Sequence, residues 1–473
     1  MTTPEELANT HSKPLINLLR GWPSTSLLPV SLIKQATQNV LSNPTVSDPG
    51  LLYGPDTGHP PLRKALAAWL TEFYEPAQAV TPERIAITGG ASQNLAGLLQ
   101  VYTDPVFTRN VWMVAPAYML AFRSFEDAGF SGKLRAVPED EEGIDLGFLR
   151  REIHKSEEKA KAEGNTKPTF KPARPYAKIY RHVIYCVPTF ANPSSRTMSL
   201  SHRKELVRCA REYDALVICD DVYDFLQWPA DIKTEQSSLD KAVMPRVVDI
   251  DRVLDGGAER ADSDGFGNVV SNASFSKIGA PGMRTGWVEG TEKFAYGVAQ
   301  TGGTWSGGAP SQMSSTYISD LLESGALQSH VLRTLQPAYA SRYRTLVSAI
   351  DRYLVPLGIT LPQPDRAIVG GYFVWLHLPD GLSGAALARR AKEEENVIVP
   401  EGEMFEVPGD EEAARFGDNV RLCFSWEDED KLVEGVRRLS GVVRRMQRDG
   451  ERGGSQPQTA AAREAKHDLG AFR

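Results

Sequence analysis

Short apolar runs alternate with amphipathic helical patterns over most of the 473 residues, and this alternation limits the possible folds strongly. RIAIT, VWMVA, HVIYCV, ALVICD and NVVSNASF are predicted strands, and several are apolar at successive residues, as in strands buried on both faces. SHRKELVRCAREY, between two of them, has the pattern of an amphipathic crossover helix. The sequence therefore predicts an α/β domain with a mostly parallel sheet.

The pattern changes near Gly325, and the chain is long enough for two or three domains. A long helical segment there leads to GGYFVWLHL, a further helix, NVIVP and VRLCFSW. We predict an N-terminal arm with part of the small domain (1–50), a large α/β domain (51–325), a small α+β domain (326–446) and a disordered tail (447–473).

Two insertions are predicted in the large domain, at about 139–180 and 229–267. Within the first, residues 150–182 hold ten Lys or Arg against four Glu, a local balance of +6. Such a segment could bind an acidic partner, but the pattern favours a solvated insertion loop. The second insertion is rich in Asp, Gly and Ser and is also predicted to be a loop.

Composition indicates a globular protein of a reducing compartment. A net charge of -7 and a pI near 5.8 argue against general nucleic-acid binding. The four cysteines include no C-x-x-C pair, and Cys186 and Cys219 lie inside apolar runs, as core residues do. There is no apolar run of transmembrane length and no signal or transit pattern. We expect a cytoplasmic protein with no nucleic-acid or membrane partner and no metal.

Small and polar residues follow the predicted strands, at the carboxyl ends where open parallel sheets bind ligands. Gly90, Ala91 and Ser92 follow RIAIT at a helix start, which is either a phosphate site or only a tight turn. Tyr118 follows VWMVA and could stack on a flat ring or pack in the core. Asn192 follows HVIYCV, as a turn residue or as an amide donor into the crevice.

The next strand end carries a carboxylate. Asp220, which follows ALVIC, is costly to bury unless it is paired. It is either a helix cap or salt-bridge partner, or it faces a cationic nitrogen of a ligand. Tyr223, three positions on, would reach the same site in the second case.

The segment SNASFSKIGAPGMRTGW has the most specific pattern. A lone lysine is normally solvated, but Lys277 follows Ser274 and Ser276 and precedes Arg284. Two hydroxyls and a guanidinium suit a phosphate, and a lysine amine can form an imine. Together, the strand ends offer partners for the phosphate, ring face, pyridine nitrogen, phenolate oxygen and aldehyde of pyridoxal 5'-phosphate.

Over roughly residues 15–440, the sequence resembles the class I/II pyridoxal-phosphate-dependent aminotransferases of fold type I, the aspartate aminotransferase superfamily. SFSKIGAPGMRTGW is close to the family pattern S-x-S-K-x-x-x-P-G-x-R-x-G, and NPSS and DDVY occur in the expected order. LRGWPSTSLLP and YGPDTGHPPLR resemble the branch of aromatic, kynurenine and 2-aminoadipate aminotransferases, which includes fungal members with similar insertions. The resemblance implies a large domain with a mostly parallel central sheet and a smaller α+β domain.

The resemblance also implies the cofactor contacts. Lys277 would carry the cofactor as an imine and then move protons at the substrate. Asp220 would keep the pyridine nitrogen protonated, Asn192 and Tyr223 would bond the phenolate oxygen, and Tyr118 would stack on the ring. The implied phosphate contacts are Gly90, Ala91, Ser92, Ser274, Ser276 and Arg284.

Substrate and subunit contacts are implied in the same way. Arg421 falls where the family binds the substrate α-carboxylate, with Asn192 nearby, and Gly21 lies in the segment that closes over substrate. Tyr53 falls where the neighbouring subunit of a homodimer lends a phosphate contact, so that active sites are shared. One position departs from the family: Ser195 replaces a usual glycine.

The implied activity is transfer of an amino group between an α-amino acid (aromatic, kynurenine-like or 2-aminoadipate-like) and a 2-oxo acid such as 2-oxoglutarate. The alternative is a pyridoxal-phosphate lyase, cyclase or carbon–carbon bond-forming enzyme, because a fold does not settle a reaction. The effector domain of a transcription regulator is a further alternative. No basic helix-turn-helix pattern supports it.

Overall fold

The structure is a computed structural model that describes residues 13–231, 238–361 and 367–450. Its strands, in chain order, are β1 (Ile16–Asn17), β2 (Ile85–Thr88), β3 (Val111–Ala115), β4 (Leu134–Asp140), β5 (Gly143–Ile144), β6 (His182–Cys186), β7 (Ala215–Asp220), β8 (Gln227–Pro229), β9 (Val269–Ser274), β10 (Gly286–Glu289), β11 (Ile368–Gly370), β12 (Phe373–His377), β13 (Val397–Ile398) and β14 (Asn419–Cys423). Its α-helices are Val30–Leu41, Pro44–Leu51, Pro60–Tyr74, Ala91–Tyr102, Met119–Phe125, Leu146–Ala162, Leu200–Glu212, Val247–Val253, Glu292–Ala299, Gly302–Gly307, Gln312–Glu323, Ala326–His330, Gln336–Tyr353, Gly384–Glu395 and Glu429–Asp449.

The central sheet has eight strands in the order β2-β10-β9-β7-β6-β3-β4-β5. Strands β9, β7, β6, β3 and β4 are parallel, whereas β10 is antiparallel to both of its neighbours. Every residue of β6 and β7 is buried, as their apolar runs predict. Alternate residues of β7 enter two different apolar cores, so helices are needed on both faces. The predicted α/β class is confirmed.

This topology brings several chain segments to one edge of the sheet. Because β9 pairs with β10, and β10 with β2, in antiparallel fashion, β2 runs in the same direction as the parallel strands. The segments that follow β2, β3, β6, β7 and β9 therefore leave from the same edge. In register, Asp220 at the end of β7 is opposite Asn272 of β9.

Segments near the two ends of the described chain meet in the remaining part of the fold. Strand β1 pairs in parallel with β13, and β12 pairs with β14 in antiparallel fashion. The long helices Gln336–Tyr353 and Glu429–Asp449 pack against each other. The runs GGYFVWLHL, NVIVP and VRLCFSW do form strands, which confirms those elements, while the division into domains stays a prediction.

Both predicted loops contain helices. Leu146–Ala162 is a helix because Asp145 accepts a hydrogen bond from the Phe148 backbone N–H (2.8 Å), and because Leu149, Ile153 and Ala160 bury one face. Because this apolar stripe is narrow, most residues of the helix are charged or polar, and the sequence resembles that of a solvated loop. The solvated-loop prediction for residues 150–182 is therefore wrong over this helix.

The second loop prediction is wrong over residues 247–253, and residues 232–237 of that predicted loop lie outside the described residues. Val247–Val253 is a helix whose first residues are buried, and the buried Arg246 side chain ion-pairs with Asp249 at 2.9 Å. Near the C terminus, the final helix extends to Asp449, past the predicted boundary at residue 446. The rest of the predicted tail, from residue 451, lies outside the described residues. None of the helices in the described ranges is both long and apolar enough to cross a membrane.

Candidate active site

A cleft of about 210 Å³ lies where the strand ends meet. Of the predicted site residues, those that line it are Gly21, Ala91, Ser92, Tyr118, Asn192, Asp220, Tyr223, Ser274, Ser276, Lys277, Arg284 and Arg421. Gly90 and Tyr53 are not among the lining residues. The lining residues that were not predicted are Trp22, Met119, Leu120, Val187, Val222 and Phe373.

Lys277 follows β9 and points its amine into the cleft. The Nζ atom donates a 2.7 Å hydrogen bond to the carbonyl oxygen of Gly21. The same atom lies 5.1 Å from the ring centroid of Tyr372 and 5.8 Å from that of Tyr223. Burial lowers the pKa of Lys277 to about 8, although the Asp220 carboxylate acts in the opposite direction. At pH 7 about a tenth of the amine would be neutral and able to act as a nucleophile.

Asp220, at the end of β7, has one carboxylate oxygen satisfied and one not. Tyr185 on the neighbouring strand β6 donates a 2.8 Å hydrogen bond to Oδ2 of Asp220. Oδ1 is buried and has no hydrogen-bond partner among the described residues. Burial raises the pKa of Asp220 to about 6. A cationic N–H group placed at Oδ1 would satisfy this oxygen and favour its ionised form.

The opposite end of the cleft can bind an anion. The helix Ala91–Tyr102 begins there, and Gly90, with φ of 100°, precedes it. Arg284 Nη2 donates a 2.9 Å hydrogen bond to the carbonyl one residue before Gly90, and Ser274 Oγ donates a 2.8 Å bond to Ser276 Oγ. A Cβ on Gly90 would lie 2.8 Å from Arg284 Nη2. Gly90 thus keeps the space between the helix N terminus and the guanidinium open, although it does not line the cleft.

Arg421, on β14, is buried in the cleft wall. Its Nη1 donates a 2.8 Å hydrogen bond to Oδ1 of Asn192, and its Nη2 donates a 2.6 Å bond to the carbonyl of Leu19. The guanidinium carbon lies 3.9 Å from the ring centroid of Phe373. Burial lowers the pKa of Arg421 to about 10, so it stays cationic at neutral pH. Its Nε has no partner among the described residues, which leaves a donor for a carboxylate.

Two tyrosines form part of the remaining wall. Burial, reinforced by Asp220, raises the pKa of Tyr118 to about 12. Burial also raises the pKa of Tyr223 well above its ordinary value. Both phenols therefore stay protonated at neutral pH and can donate hydrogen bonds.

Residues 16–24, which we call the strap, form part of the cleft wall through Gly21 and Trp22. The strap is hydrogen-bonded to the segment that follows β14. Ser425 Oγ donates a 2.7 Å hydrogen bond to the carbonyl of Trp22, and the Asn17 backbone N–H donates a 2.8 Å bond to Oε1 of Glu427. Between these attachments, carbonyls of the strap accept the hydrogen bonds from Lys277 and Arg421. The strap is therefore hydrogen-bonded directly to the side chains of Lys277 and Arg421.

Ser195, which replaces the usual glycine, adopts the left-handed conformation with φ of 60°. Glycine reaches this conformation freely, whereas a residue with a Cβ does so at a cost of about 1–2 kcal/mol. The Ser195 hydroxyl donates a 2.5 Å hydrogen bond to the carbonyl of Phe373, a residue that lines the cleft. Ser195 thus adopts a conformation that favours glycine and adds a link to the cleft wall.

Tyr53 does not lie in the cleft of its own chain. Its side chain is 90% exposed, and Leu51, Leu52 and Trp305 are also more than half exposed. A Cβ added to Gly307, two residues after Trp305, would be 3.9 Å from the Tyr53 ring. The chain therefore presents this tyrosine on an apolar surface, outside its own site.

Several supporting residues were missed by the sequence analysis. Tyr185 could have been found, because it lies on the strand next to the one that ends at Asp220. In the segment after β7 that carries Tyr223, Oδ2 of Asp224 accepts a 3.0 Å hydrogen bond from the Tyr74 hydroxyl. No short-range pattern signals that contact, since 150 residues separate its partners.

Comparison with known proteins identifies the family. Residues 14–439 match the family model "Aminotransferase class I and II". An uncharacterized protein of Saccharomyces cerevisiae is 35% identical over 446 residues, covering 91% of this chain and 97% of the relative. The 2-aminoadipate transaminase of Thermus thermophilus is 28% identical over 448 residues, covering 94% of each protein. The crystal structure of kynurenine aminotransferase from Pyrococcus horikoshii superposes with a TM-score of 0.71 at 26% identity, covering 94% of this chain and 95% of that one.

The fold and the cleft define a fold type I enzyme that uses pyridoxal 5'-phosphate. The chain belongs to the class I and II aminotransferase family and is an aminotransferase. The lyase, cyclase and bond-forming alternatives are not favoured by these relatives.

Proposed function

We propose that the chain transfers an amino group between an aromatic, kynurenine-like or 2-aminoadipate-like α-amino acid and a 2-oxo acid such as 2-oxoglutarate. The observation that carries this proposal is that Lys277 and Arg421 lie at the wall of one cleft, each bonded to a carbonyl of the strap. A nucleophilic amine beside a carboxylate-binding guanidinium suits an α-amino acid or a 2-oxo acid. The relatives named for kynurenine and 2-aminoadipate support the substrate class.

The cleft fits the cofactor on structural grounds. The unpartnered Oδ1 of Asp220 suits the protonated ring nitrogen, and Tyr118 offers a ring face. Phosphate would be held by the helix start at Ala91 and Ser92 with Arg284, Ser274 and Ser276. When bound, pyridoxal 5'-phosphate supplies an aldehyde for the amino group and a ring that accepts electrons from the substrate α-carbon.

The residues of the chain have distinct roles in this proposal. The Lys277 amine bonds the cofactor and, once released by substrate, moves a proton at the substrate α-carbon. The ionised Asp220 carboxylate keeps the ring nitrogen protonated. The amide of Asn192 and the phenol of Tyr223 donate hydrogen bonds to the phenolate oxygen. Arg421 orients the substrate through its α-carboxylate, which a planar guanidinium binds with two parallel hydrogen bonds.

Part of the cleft wall is apolar or aromatic. Trp22, Met119, Leu120, Val187 and Val222 line the cleft and offer aromatic and aliphatic surface. Such surface favours the aromatic members of the proposed substrate class.

A donor screen tests the proposed reaction. Purified protein loaded with pyridoxal 5'-phosphate would be given tyrosine, phenylalanine, kynurenine or 2-aminoadipate, with 2-oxoglutarate or phenylpyruvate as acceptor. We expect formation of the matching amino and oxo acids in equal amounts. Amine release or ring closure without the matching amino acid would contradict an aminotransferase, and use of none of these donors would contradict the substrate class.

We also propose that the protein is a homodimer with shared active sites, in which Tyr53 reaches the phosphate in the partner's cleft. The exposure of Tyr53 within a mostly apolar surface supports this, since such patches mark interaction sites. Tyr53→Phe should weaken cofactor retention roughly tenfold or more, from the loss of one charged hydrogen bond to the phosphate. Mixing Tyr53→Phe subunits with Lys277→Ala subunits would give one site with both lesions and one with neither. Activity should return on mixing. No recovery in a preparation shown to contain mixed dimers would contradict the shared site.

We place the protein in the cytoplasm. The four cysteines are buried and free, which supports a reducing compartment. Imaging of a tagged chain in living cells tests this, and accumulation in an organelle would contradict it.

A further inference from the structure

Tyr185 contacts Asp220 from the neighbouring strand of the central sheet. Its hydroxyl, on β6, donates a 2.8 Å hydrogen bond to Oδ2 of Asp220 at the end of β7. Tyr185 is 2% exposed and Asp220 is 8% exposed, so water does not readily compete for this bond. Oδ1 of Asp220 has no hydrogen-bond partner among the described residues. The two oxygens of this carboxylate therefore have different surroundings.

The Tyr185 phenol is a donor whose direction is set by packing. Burial, reinforced by the Asp220 carboxylate, raises the pKa of Tyr185 well above its ordinary value, so the hydroxyl keeps its proton. Phe125 packs edge-on against the phenol, with ring centroids 5.6 Å apart and an interplanar angle of 72°. Because interiors are close-packed, a ring held in this way has little freedom to turn its hydroxyl away from Asp220.

This hydrogen bond determines which oxygen of Asp220 can serve a ligand. With Oδ2 held by Tyr185, Oδ1 is the carboxylate oxygen that remains for a donor from the cleft. In the proposed function, that donor is the N–H group of the protonated ring nitrogen. Asp220 lines the cleft, whereas Tyr185 is not among the lining residues. Tyr185 would therefore act on the cofactor through Asp220.

The same bond affects how strongly Asp220 competes for a proton. Burial raises the pKa of Asp220 to about 6, while the bond from Tyr185 and the Lys277 amine act in the opposite direction. The charge of Asp220 also acts on Tyr118 and Tyr223, whose phenols stay protonated. A hydrogen bond to the ionised form makes a carboxylate a weaker base. When a carboxylate and a ring nitrogen share one proton, a weaker carboxylate base leaves more of the proton on the nitrogen.

We propose that Tyr185 is a positioning residue that holds Asp220 by Oδ2 and thereby keeps the proton that Asp220 shares with the cofactor on the ring nitrogen. This inference rests on the proposed function, in which Asp220 faces that nitrogen. A protonated ring accepts electrons from the substrate α-carbon more readily than a neutral one. Tyr185 thus supports amino transfer without touching the substrate.

A nuclear magnetic resonance measurement locates the proton without relying on turnover. Pyridoxal 5'-phosphate labelled with 15N in the ring would be bound to the wild-type protein and to Tyr185→Phe, which keeps the ring and loses only the hydroxyl. The 15N chemical shift would be recorded between pH 6.5 and pH 8.5. The ratio of protonated to neutral nitrogen should fall about 10-fold or more in the variant, the effect of losing one charged hydrogen bond. The shift should therefore move toward that of a neutral pyridine.

Tyr180→Phe is the matched control. Tyr180 is also a fully buried phenol, and its hydroxyl donates a 2.5 Å hydrogen bond to the carbonyl of Gly267. Because Tyr180 does not line the cleft, its loss should lower stability without moving the nitrogen shift. An unchanged shift in Tyr185→Phe, or an equal change in Tyr180→Phe, would overturn the assignment of Tyr185.

Two further measurements complete the test. If Tyr185→Phe does not fold, 3-fluorotyrosine in place of Tyr185 keeps the shape and donates more strongly, so the nitrogen shift should move toward the protonated form; no movement would count against the proposal. In steady-state assays, Tyr185→Phe should lower kcat and leave KM nearly unchanged, because Arg421 still binds the α-carboxylate. If the nitrogen shift depends on Tyr185 but the wild-type protein transaminates none of the proposed donors, the proposed function fails and the assignment of Tyr185 stands.

Discussion

Replacing Lys277 by methionine is expected to stabilise the cofactor-free protein at neutral pH. The Lys277 side chain is partly buried in the cleft, and burial lowers its pKa from 10.5 to about 8. At pH 7 the folded protein therefore holds a mostly charged amine in an unfavourable place. Methionine has a similar length, no charge, and could keep the contacts with the rings of Tyr223 and Tyr372.

The size of this effect follows from the lowered pKa. A fall from 10.5 to about 8 corresponds to about 3 kcal/mol of destabilisation while the amine is charged. The variant loses the hydrogen bond to the Gly21 carbonyl, which contributes about 1 kcal/mol. The net expectation at pH 7 is a gain of about 2 kcal/mol in the free energy of unfolding for Lys277→Met.

The pH dependence is the sharper part of this prediction. Between pH 8 and pH 10.5, the unfolded wild-type chain holds the Lys277 proton and the folded chain does not. The wild-type free energy of unfolding therefore rises with pH relative to the variant, by about 1.4 kcal/mol per pH unit. The advantage of Lys277→Met should shrink across this window, and it should be constant below about pH 7.

Urea denaturation of cofactor-free wild type and Lys277→Met, at equal protein concentration from pH 7 to pH 10, measures this difference. Other titrating groups and any subunit dissociation are common to both proteins, so they cancel in the comparison. Lys64→Met, at an exposed position on the helix Pro60–Tyr74, is the control for loss of one positive charge. A difference between Lys277→Met and wild type that does not change with pH would refute the reasoning.

Three further outcomes are expected. Asp220→Ala should lower turnover by at least about 100-fold, because the carboxylate that faces the ring nitrogen is lost; a near-normal rate in steady-state assays would contradict this role. Arg421→Lys should raise KM for both the amino and the oxo acid while the visible spectrum of the bound cofactor stays unchanged, and loss of the cofactor would show that Arg421 is structural. Ser195→Ala should have a free energy of unfolding about 1 kcal/mol lower than Ser195→Gly in urea denaturation, because both variants lose the hydroxyl bond to Phe373 but only alanine keeps the left-handed backbone cost.

The sequence predicted those parts of the site that depend on local order along the chain. Asp220 and Lys277 follow buried strands, and parallel strands must end at one edge of the sheet, so their meeting could be inferred from the order of the strands alone. Arg421, by contrast, was placed only through the resemblance to a family. Its partner Leu19 is 402 residues away, and no periodicity encodes such a contact.

The features that the sequence analysis missed also have a physical explanation. The helix Leu146–Ala162 needs only a narrow buried stripe, because most of its circumference faces solvent, and its many charges therefore concealed it. The Trp22 and Trp426 rings, whose centroids lie 6.0 Å apart, come from distant parts of the chain. Each looks like an isolated surface tryptophan in sequence, and only the strap brings them together.

The strap has a consequence for how the protein is made. Its residues leave the ribosome long before their partners in β13 and in the segment 421–427, because 410 residues separate Asn17 from Glu427 and 403 separate Trp22 from Ser425. At about 5–20 residues per second, the apolar Ile16, Leu18 and Leu19 would wait roughly 20–80 seconds for those partners. The strap cannot be bonded in place before residues 421–427 have been made, so a chain interrupted after the central sheet would lack both Arg421 and the anchors of the strap.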